Sequence, residues 1–334
     1  MRNLIARILL ISDFHWMVVP PWRQKGQTKK GFFGHIVEFF ISIWKLFNNR
    51  NMMKALGKIS QSGSFTRVIS LGDLTECEWN ERGMILSSDV RELAELKKLI
   101  ESSIKVKREA FHYLAGDHEL GYILPLSCDP DGGISWESIG NFQSVFNSLF
   151  SGFTIGENHF LLLSSALMTL SLHHLSIAEA KNIYKLQEDQ RNFIWNFLAD
   201  KRKDDRIFIF LHDPDALETF DAYTNNFDVI KGIKYKAFCG HMHAEEGLKS
   251  YENLGKIANA KTIFQRIVRW FFNRTKKGKK VMKWAKGNLK RTAIFKKYDL
   301  QIVPATGGMM GKGRGFLILN LHDDGSHEIE KHNT

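Results

Sequence analysis

The chain is poor in cysteine. Its 334 residues include three, Cys77, Cys128 and Cys239, and these lie far apart. An odd number of isolated cysteines fits neither a disulfide framework nor the paired spacing of a zinc ribbon. Because proteins without disulfides are typical of reducing compartments, we expect a cytoplasmic protein.

The chain also lacks an apolar run long enough to cross a bilayer, which takes about 20 residues. The longest stretch, FFGHIVEFFISIWKLF at 32–47, is too short. Polar residues interrupt it at spacings of three and four, which is typical of one face of an amphipathic helix. These residues are His35, Glu38, Ser42 and Lys45. The N-terminal run MRNLIARILLISDFHW has a short apolar core and no small-residue cleavage site, so we interpret it as a strand and not as a secretion signal.

No linker rich in proline, glycine or serine divides the sequence. Short apolar runs alternate with helical patterns at 90–104 and 187–200. Near-continuous apolarity is typical of strands buried on both faces of a sheet that is layered with helices. We therefore expect one α/β domain over 1–334. The predicted strands are 6–12, 66–71, 110–115, 159–166, 206–211, 235–240 and, with a turn, 315–325.

Acidic residues are absent between Asn253 and Tyr298, a segment that contains fifteen lysines and arginines. The formal net charge of +11 is therefore local, since the rest of the chain is near −4. Such a block of like charge indicates an anionic partner. We expect two insertions in the domain, an apolar helical one at 17–60 and a basic amphipathic one at 250–300.

Aspartate and histidine follow five of the predicted strands. Because ligands bind beyond the carboxyl ends of parallel strands, we expect these side chains at one edge of the fold. Imidazoles mixed with carboxylates suit Mn, Fe(II) or Zn. The set is large enough for two ions that share a carboxylate, which is an arrangement that serves phosphoester hydrolysis. The candidate ligands are Asp13, His15, Asp73, Asp117, His212, His241 and His243, with His118 next to Asp117.

In this order the motifs D-x-H, G-D, G-[N/D]-H-[D/E], H and G-H-x-H resemble the calcineurin-like metallophosphoesterase family, from residue 6 to about 243. The resemblance implies an α/β fold in which two sheets form a sandwich flanked by helices. It also implies two divalent metal ions that activate water for attack on phosphorus. Asp73 would bridge the two ions, and His118 would stabilise the transition state or protonate the leaving oxygen. The implied ligand sets are Asp13, His15, Asp73 and His243 for the first ion, and Asp73, Asp117, His212 and His241 for the second.

One residue departs from the family pattern, because Asp117 stands where the family usually has asparagine. The additional carboxylate means that three carboxylates face two dications. We expect stronger metal retention and lower Lewis acidity, which favours Mn or Mg. The expected cofactors are two divalent ions, Mn first, with Fe, Zn or Mg as alternatives.

The glycine-rich run GGMMGKGRGF at 307–316 superficially suggests a phosphate loop. It lacks the Gly-Lys-Ser/Thr sequence and precedes a strand, so the pattern favours a turn. Lys312 and Arg314 remain candidate contacts to a substrate phosphate.

The basic run at 264–291 has three interpretations: a charged helix packed by one side on the core, a surface for anionic lipid, or a nucleic-acid surface. Its cations alternate with bulky apolar residues that cluster at 270–272. This favours lipid, because more Asn, Gln and Tyr among the cations would be expected for nucleic acid. Arg266, Arg269 and Trp270 are candidate substrate contacts.

A metallophosphoesterase core with apolar and basic insertions resembles the branch that acts on lipid-linked nucleotides, such as the UDP-diacylglucosamine hydrolases of lipid A synthesis. We therefore expect a dinuclear-metal phosphoesterase or pyrophosphatase that is cytoplasmic and peripherally membrane-associated. Its partners would be an anionic membrane surface or a lipid-linked substrate, with no obligate protein partner. The alternatives are a nuclease or cyclic-nucleotide phosphodiesterase that holds phosphates through the basic run, and a membrane-bound scaffold without catalysis.

Overall fold

The structure is a computed structural model that describes residues 2–16, 32–75, 78–79, 85–86, 89–120, 134–169, 177–225, 232–242, 245–307 and 314–334. The strands are β1 (Leu4–Ile11), β2 (Arg67–Ser70), β3 (Glu78–Trp79), β4 (Ile85–Leu86), β5 (Phe111–Tyr113), β6 (Ser151–Ile155), β7 (Asn158–Leu162), β8 (Arg206–Leu211), β9 (Lys234–Cys239), β10 (Gln301–Ile302), β11 (Gly315–His322) and β12 (His327–Asn333). The helices are α1 (Phe32–Gln61), α2 (Val90–Ser103), α3 (Asp117–Leu120), α4 (Trp136–Phe146), α5 (Ser165–Met168), α6 (Ile177–Ala199), α7 (Ala216–Thr224), α8 (Glu245–Ala258), α9 (Ile263–Phe272), α10 (Lys276–Ala285) and α11 (Asn288–Lys297).

Two five-stranded mixed sheets form the centre of the fold, with strand orders β12-β11-β1-β2-β5 and β10-β9-β8-β7-β6. In the first sheet β1, β2 and β5 run parallel, and β11 and β12 are antiparallel to their neighbours. In the second sheet β7, β8, β9 and β10 run parallel, and β6 is antiparallel. Each sheet therefore presents the carboxyl ends of several parallel strands at one edge.

The two sheets pack face to face through an apolar layer. Alternate residues of a strand point to opposite faces. In β8 the side chains of Phe208 and Phe210 enter the layer between the sheets. Ile207, Ile209 and Leu211 point the other way and pack under helices. This explains why β8 is apolar at nearly every position, since both of its faces are buried.

Helices cover the outer faces of both sheets. The first sheet packs against α1, α2 and α4 through residues such as Leu56, Ile100 and Phe142. The second sheet packs against α6, α7, α8 and α11, for example through Ile194 and Phe220. The fold is thus a two-sheet α/β sandwich flanked by helices, and the predicted fold class is confirmed.

The strands agree with the sequence patterns to within a few residues in most cases. The predicted strand at 159–166 is the exception, because β7 ends at Leu162 and a short helix occupies Ser165–Met168. The sequence patterns missed β3, β4, β6, β10 and β12, of which β6, β10 and β12 are edge strands, while β3, β4 and β10 have two residues each. Edge strands take their conformation from pairing with a neighbour, so they need no continuous apolar run.

The predicted helical insertion at 17–60 is described from Phe32 onward, and α1 continues to Gln61. Residues 17–31 and the side chains of the predicted polar face at 35–45 lie outside what the structure describes. In the basic insertion, α8 and α10 share a small core that includes Ala258, Val281 and Met282. Among the described residues, none of the helices has the length and apolar character needed to cross a membrane.

Candidate metal centre

Each predicted ligand that the structure describes lies where the chain leaves a parallel strand of one of the two sheets. Those after β1, β2 and β5 come from the first sheet, and those after β8 and β9 come from the second. The loops bond to one another through their backbones. Asp13 N donates to the Gly72 carbonyl at 3.0 Å, and His15 N donates to the Asp73 carbonyl at 3.0 Å. Between the sheets, His241 N donates to Asp13 Oδ1 at 3.1 Å, and His212 Nδ1 lies 2.8 Å from the Leu71 carbonyl oxygen, so the carboxyl ends of the two sheets meet in one site.

Glycine precedes three of these ligands because the loops approach closely. A Cβ on Gly116 would lie 2.2 Å from Asp73 Oδ1, and one on Gly240 would lie 1.9 Å from Ser12 Oγ. Neither distance is possible for a side chain without a shift of the loops. The glycines of the G-D-H and G-H motifs are therefore explained by packing, not by a contact with the substrate.

The backbone of the site is held in an unusual conformation. Asp13, His15, Asp73 and His241 all have φ between 48° and 57°, in the left-handed region. For a residue with a side chain this conformation costs on the order of 1–3 kcal/mol and is concentrated at functional sites. The fold therefore stores strain at the loops that carry the candidate ligands.

One group of candidate ligands consists of Asp73, Asp117, His212 and His241, whose ligand atoms all lie within 4.8 Å of one another. His212 Nε2 is 2.9 Å from Asp117 Oδ1 and 3.3 Å from Asp73 Oδ1. His241 Nδ1 is 3.3 Å from Asp117 Oδ1. The structure thus brings together the four residues expected to hold the second ion.

The orientation of His212 is defined by its other ring nitrogen. His212 Nδ1 lies 2.8 Å from the Leu71 carbonyl oxygen. A carbonyl only accepts, so Nδ1 carries a proton and donates it there. Nε2 is then the atom that faces the carboxylates, and a second partner of this kind is typical of metal-binding histidines.

A second group consists of His15, Asp73 and His118. The Nε2 atoms of His15 and His118 are each 3.8 Å from Asp73 Oδ2. The two rings meet edge to face, with centroids 4.6 Å apart. Asp73 belongs to both groups, so its carboxylate lies where a bridging ligand is required.

Three histidines form the exposed part of the site. The side chains of His15, His118 and His241 are 11%, 13% and 18% exposed, whereas those of Asp73 and His212 are 2% and 0% exposed. A substrate phosphate would therefore meet these three histidines first.

Asp13 and His243 are the remaining predicted ligands. Asp13 is fully buried, and its Oδ1 accepts a hydrogen bond from His241 N at 3.1 Å. Asp13 lies in the same loop as His15 but belongs to neither the four-residue group nor the three-residue group. His243 lies outside the described residues.

The pKa values of the site reflect the burial of opposite charges together. Burial and the Asp117 charge would raise the pKa of Asp73, but His212 and His118 outweigh them and lower it to about 2. Burial would likewise raise the pKa of Asp117, yet His241 and His212 hold it well below its usual value. Burial would lower the pKa of both His212 and His241. Nearby carboxylates instead hold the pKa of His212 well above its usual value and raise the pKa of His241 to about 9.

Glu119 is a functional residue whose role the sequence motifs did not reveal. It is buried, and its Oε2 accepts from Asp73 N at 2.9 Å and Gly116 N at 2.8 Å. Its Oε1 accepts from Thr75 N at 3.0 Å. Burial and the Asp73 charge raise its pKa to about 7. The Glu119 carboxylate therefore holds two ligand loops together. In the sequence, only the acidic last residue of the GDHE motif at 116–119 pointed to it.

Two other polar side chains support the ligand loops. Asn48 of α1 is buried and donates through Nδ2 to the carbonyls of Phe14 and His15, both at 2.8 Å. Ser165 Oγ accepts from the backbone N–H groups of His212 and Asp213, both at 2.9 Å. These contacts fix the main chain beside the ligands on each sheet.

The predicted substrate contacts lie elsewhere or are not described. Lys312 is outside the described residues. Arg314 is partly buried where the chain enters β11. In α9, Arg266 is exposed, Arg269 donates to the Ala258 carbonyl at 3.2 Å, and Trp270 is 52% exposed. Their part in substrate binding stays a prediction.

Comparison with known proteins identifies the family. The family model described as calcineurin-like phosphoesterase matches residues 6–245, which is more than half of the chain and includes both ligand groups. The chain therefore belongs to the calcineurin-like phosphoesterases and is a metal-dependent phosphoester hydrolase.

Among solved structures, a dimetal phosphatase from Danio rerio resembles this chain with a TM-score of 0.46 and 10% identity, over 99% of this chain and 97% of that one. We draw nothing further from so weak a likeness. No curated protein matches the sequence.

The donor set fits divalent cations. The two groups combine carboxylate oxygens with imidazole nitrogens, which are the ligands that Mn, Fe and Zn accept. The carboxylate that both groups share accounts for two ions at neighbouring positions. The buried, strained loops provide the fixed geometry that a metal site requires.

Metal binding should release protons. Nearby carboxylates raise the pKa of His241 to about 9, so its ring is charged at pH 7, and they also hold the pKa of His212 well above its usual value. A histidine must lose this extra proton to bind a metal. We expect the apparent enthalpy of Mn²⁺ binding, measured by isothermal titration calorimetry at pH 7, to differ between Pipes and Hepes buffers. His241→Gln should release about one proton fewer. Equal enthalpies in both buffers would contradict the expectation.

Replacing the Glu119 carboxylate by an amide should destabilise the fold. In Glu119→Gln the amide NH₂ would replace an oxygen that accepts from the backbone, so one buried N–H would lose its acceptor. We expect a loss of about 1–3 kcal/mol in the free energy of unfolding, measured by urea denaturation of the metal-free protein. Glu109→Gln, at an exposed position, is the matched control and should change little. Equal stability of both variants would show that Glu119 does not hold the loops.

Proposed function

We propose that this protein uses two manganese ions to cleave a phosphoester or pyrophosphate bond in a lipid-linked nucleotide, such as UDP-diacylglucosamine, at an anionic membrane surface. The observation that carries the chemistry is the Asp73 carboxylate, which is shared by two groups of candidate ligands. The exposed face of α9 supports the class of substrate. Calcineurin-like phosphoesterases act on many different substrates, so membership of the family does not define the substrate of this protein.

In the proposed site two ions share Asp73. When bound, they supply Lewis-acid catalysis by polarising the phosphoryl group and water. Manganese suits the combination of three carboxylates with imidazoles, and Asp117 adds the negative charge that helps retain it. The first set is Asp13, His15, Asp73 and His243, and the second is Asp73, Asp117, His212 and His241.

His118 is the proposed proton donor to the leaving oxygen. Its backbone N donates to Asp73 Oδ1 at 3.2 Å, which fixes the start of the short helix α3. Its ring packs edge to face against His15, which limits its rotation. Its side chain is 13% exposed, so a leaving group can depart beside it. An imidazole is well suited to this transfer because its pKa lies near neutral pH.

The basic insertion consists of a packed part and an exposed face. Apolar residues of α10 and α11, such as Met282 and Phe295, are buried. In α9, by contrast, Ile263, Ile267 and Trp270 are 77%, 50% and 52% exposed. Their spacing of four and three residues places them on one side of the helix. The segment is therefore not simply a charged helix with its apolar side on the core.

Cations accompany the exposed apolar face of α9. Arg266 is exposed next to Ile267, and the guanidinium of Arg274 lies 3.7 Å from the ring centroid of Trp270. Bulky apolar residues flanked by cations are suited to the interface of an anionic membrane. There the apolar side chains enter the boundary of the acyl chains, and the cations contact the headgroups. This placement would bring a lipid-linked substrate to the enzyme.

The activity is tested with metal-stripped protein, Mn²⁺ and detergent micelles that contain UDP-diacylglucosamine. We expect release of nucleotide and lipid phosphate that requires Mn²⁺. His118→Ala should lower kcat by about 10²–10⁴-fold, because the proton donor is lost. Asp117→Asn should retain hydrolysis, because the amide oxygen still offers a ligand. Absence of cleavage by the wild-type protein with Mn²⁺ would reject this substrate.

Membrane binding is tested by sedimentation with vesicles of phosphatidylglycerol and phosphatidylcholine, compared with phosphatidylcholine alone. We expect binding to the anionic vesicles only. Ile267→Ser should weaken vesicle binding by about tenfold, because the variant lacks an apolar side chain that the wild-type protein would bury in the membrane. Leu4→Ser, at a similar exposure on β1, is the control and should bind as wild type.

Vesicle binding that is unchanged in Ile267→Ser would reject α9 as the membrane face. Tight binding to single-stranded DNA that falls steeply with added salt, without binding to vesicles, would favour the nuclease alternative.

A further inference from the structure

Asp215 ends the loop 212–215, which follows β8 and carries the metal-facing histidine. Its side chain is buried, with 4% exposure of the residue. Tyr251 OH donates to Asp215 Oδ1, and Trp284 Nε1 donates to Oδ2 at 3.0 Å. Arg291 Nη1 is 3.8 Å from Oδ2. These three partners lie on α8, α10 and α11, so they all belong to the packed part of the basic insertion.

The Asp215 side chain does not perform the ordinary role of its position. Asp215 is the N-cap residue of α7, where an aspartate usually accepts from a backbone N–H of the first turn. Here the carboxylate makes no such hydrogen bond. Its backbone instead serves the loop, because Asp215 N donates to Asp213 Oδ1 at 2.9 Å. The side chain thus connects the loop to the helices and does not cap α7.

The other end of the same loop is held by the sandwich. Ser165 Oγ accepts from the N–H groups of His212 and Asp213, and the His212 ring donates to the Leu71 carbonyl. The loop is therefore held at both ends, by Ser165 and Leu71 on one side of His212 and by the basic helices at Asp215. Groups that hydrogen-bond a metal ligand directly typically change metal affinity by 10–100-fold when they are replaced, so a group that acts through the loop should lie at the lower end of this range.

Other acidic residues of α7 meet the same helices away from the metal loop. Asp221 accepts from Tyr298 OH at 2.9 Å and from Lys297 Nζ. Its side chain is 15% exposed, compared with 3% for Asp215. Asp221 therefore contributes to the docking of the helices without contact with loop 212–215, and it offers a matched control.

We propose that Asp215 is a positioning residue of the metal centre, whose buried carboxylate joins the packed basic helices to the loop that presents His212. The proposal rests on the proposed function, because it assumes that the site binds metal. It gives α8, α10 and α11 a part in metal binding that is separate from any contact of α9 with lipid. It also accounts for cations and aromatic residues in the insertion that no anionic partner would reach.

The test compares Asp215→Asn with Asp221→Asn, which is the same substitution on the same helix. Mn²⁺ alone is titrated into each metal-free variant by calorimetry. The kcat and KM are then measured with bis(p-nitrophenyl) phosphate at low and at saturating Mn²⁺. We expect Asp215→Asn to weaken one of two binding steps by about tenfold. At low Mn²⁺ its kcat should fall while KM is unchanged, and excess Mn²⁺ should restore kcat. Asp221→Asn should bind Mn²⁺ as wild type does.

Trp284→Phe provides a second, milder variant, because it removes one donor to Asp215 and keeps an aromatic ring. It should weaken the same binding step by a smaller factor, and it decides the question if Asp215→Asn fails to fold. Wild-type affinity in both Asp215→Asn and Trp284→Phe would overturn the proposal. Equal loss of Mn²⁺ affinity in Asp215→Asn and Asp221→Asn would also overturn it, because both effects would then come from weaker docking of the helices in general.

The wild-type protein separates this proposal from the proposed function. If the wild-type protein binds two Mn²⁺ ions but does not cleave UDP-diacylglucosamine, the proposed substrate is rejected. The comparison of the variants then still tests the role of Asp215. Absence of Mn²⁺ binding by the wild-type chain would overturn both.

Discussion

The burial of the Asp73 carboxylate among histidines is the constraint on which the rest of the site depends. A carboxylate with so little exposure is unfavourable unless positive charge and hydrogen-bond donors surround it. His212 and His118 supply the charge that keeps its pKa near 2. They reach Asp73 only because loops from two sheets meet at the carboxyl ends of their strands. The left-handed backbone at Asp13, Asp73 and His241 is the cost of that convergence.

Parts of the chain outside the sandwich take part in the same arrangement. Asn48 of α1 holds the carbonyls beside His15, and Asp215 receives donors from the basic helices. Helix α1 and the basic helices therefore each meet the centre at one buried polar side chain. Replacing such a side chain leaves partners unpaired in a dry environment, so its effect is larger than that of an exposed ion pair. The helices are consequently part of the site's support, whereas α9 presents its apolar residues to solvent.

Much of the fold and most of the candidate ligands follow from the sequence because each motif stands directly after a short, largely apolar strand. Glu119 was different, since its role depends on N–H groups of Asp73 and Thr75 that lie more than forty residues away. The basic insertion was also incompletely predicted. Its cations form one block in sequence, but Arg291 and Lys297 pair with acidic residues of α7 more than seventy positions earlier. Local composition contains no information about such pairs.

The sequence by itself determined the class of chemistry. Strand periodicity and ligand chemistry are local properties, so buried strands followed by metal-binding side chains could be predicted directly. The order of the motifs resembled the calcineurin-like phosphoesterases, and that resemblance implied the two-sheet fold. Only the tertiary structure decided which loops Glu119 joins, which glycines allow the loops to approach, and which cations remain exposed. Those outcomes depend on distances between loops of different strands, and these distances arise when the apolar layer between the sheets and the helices around it pack together.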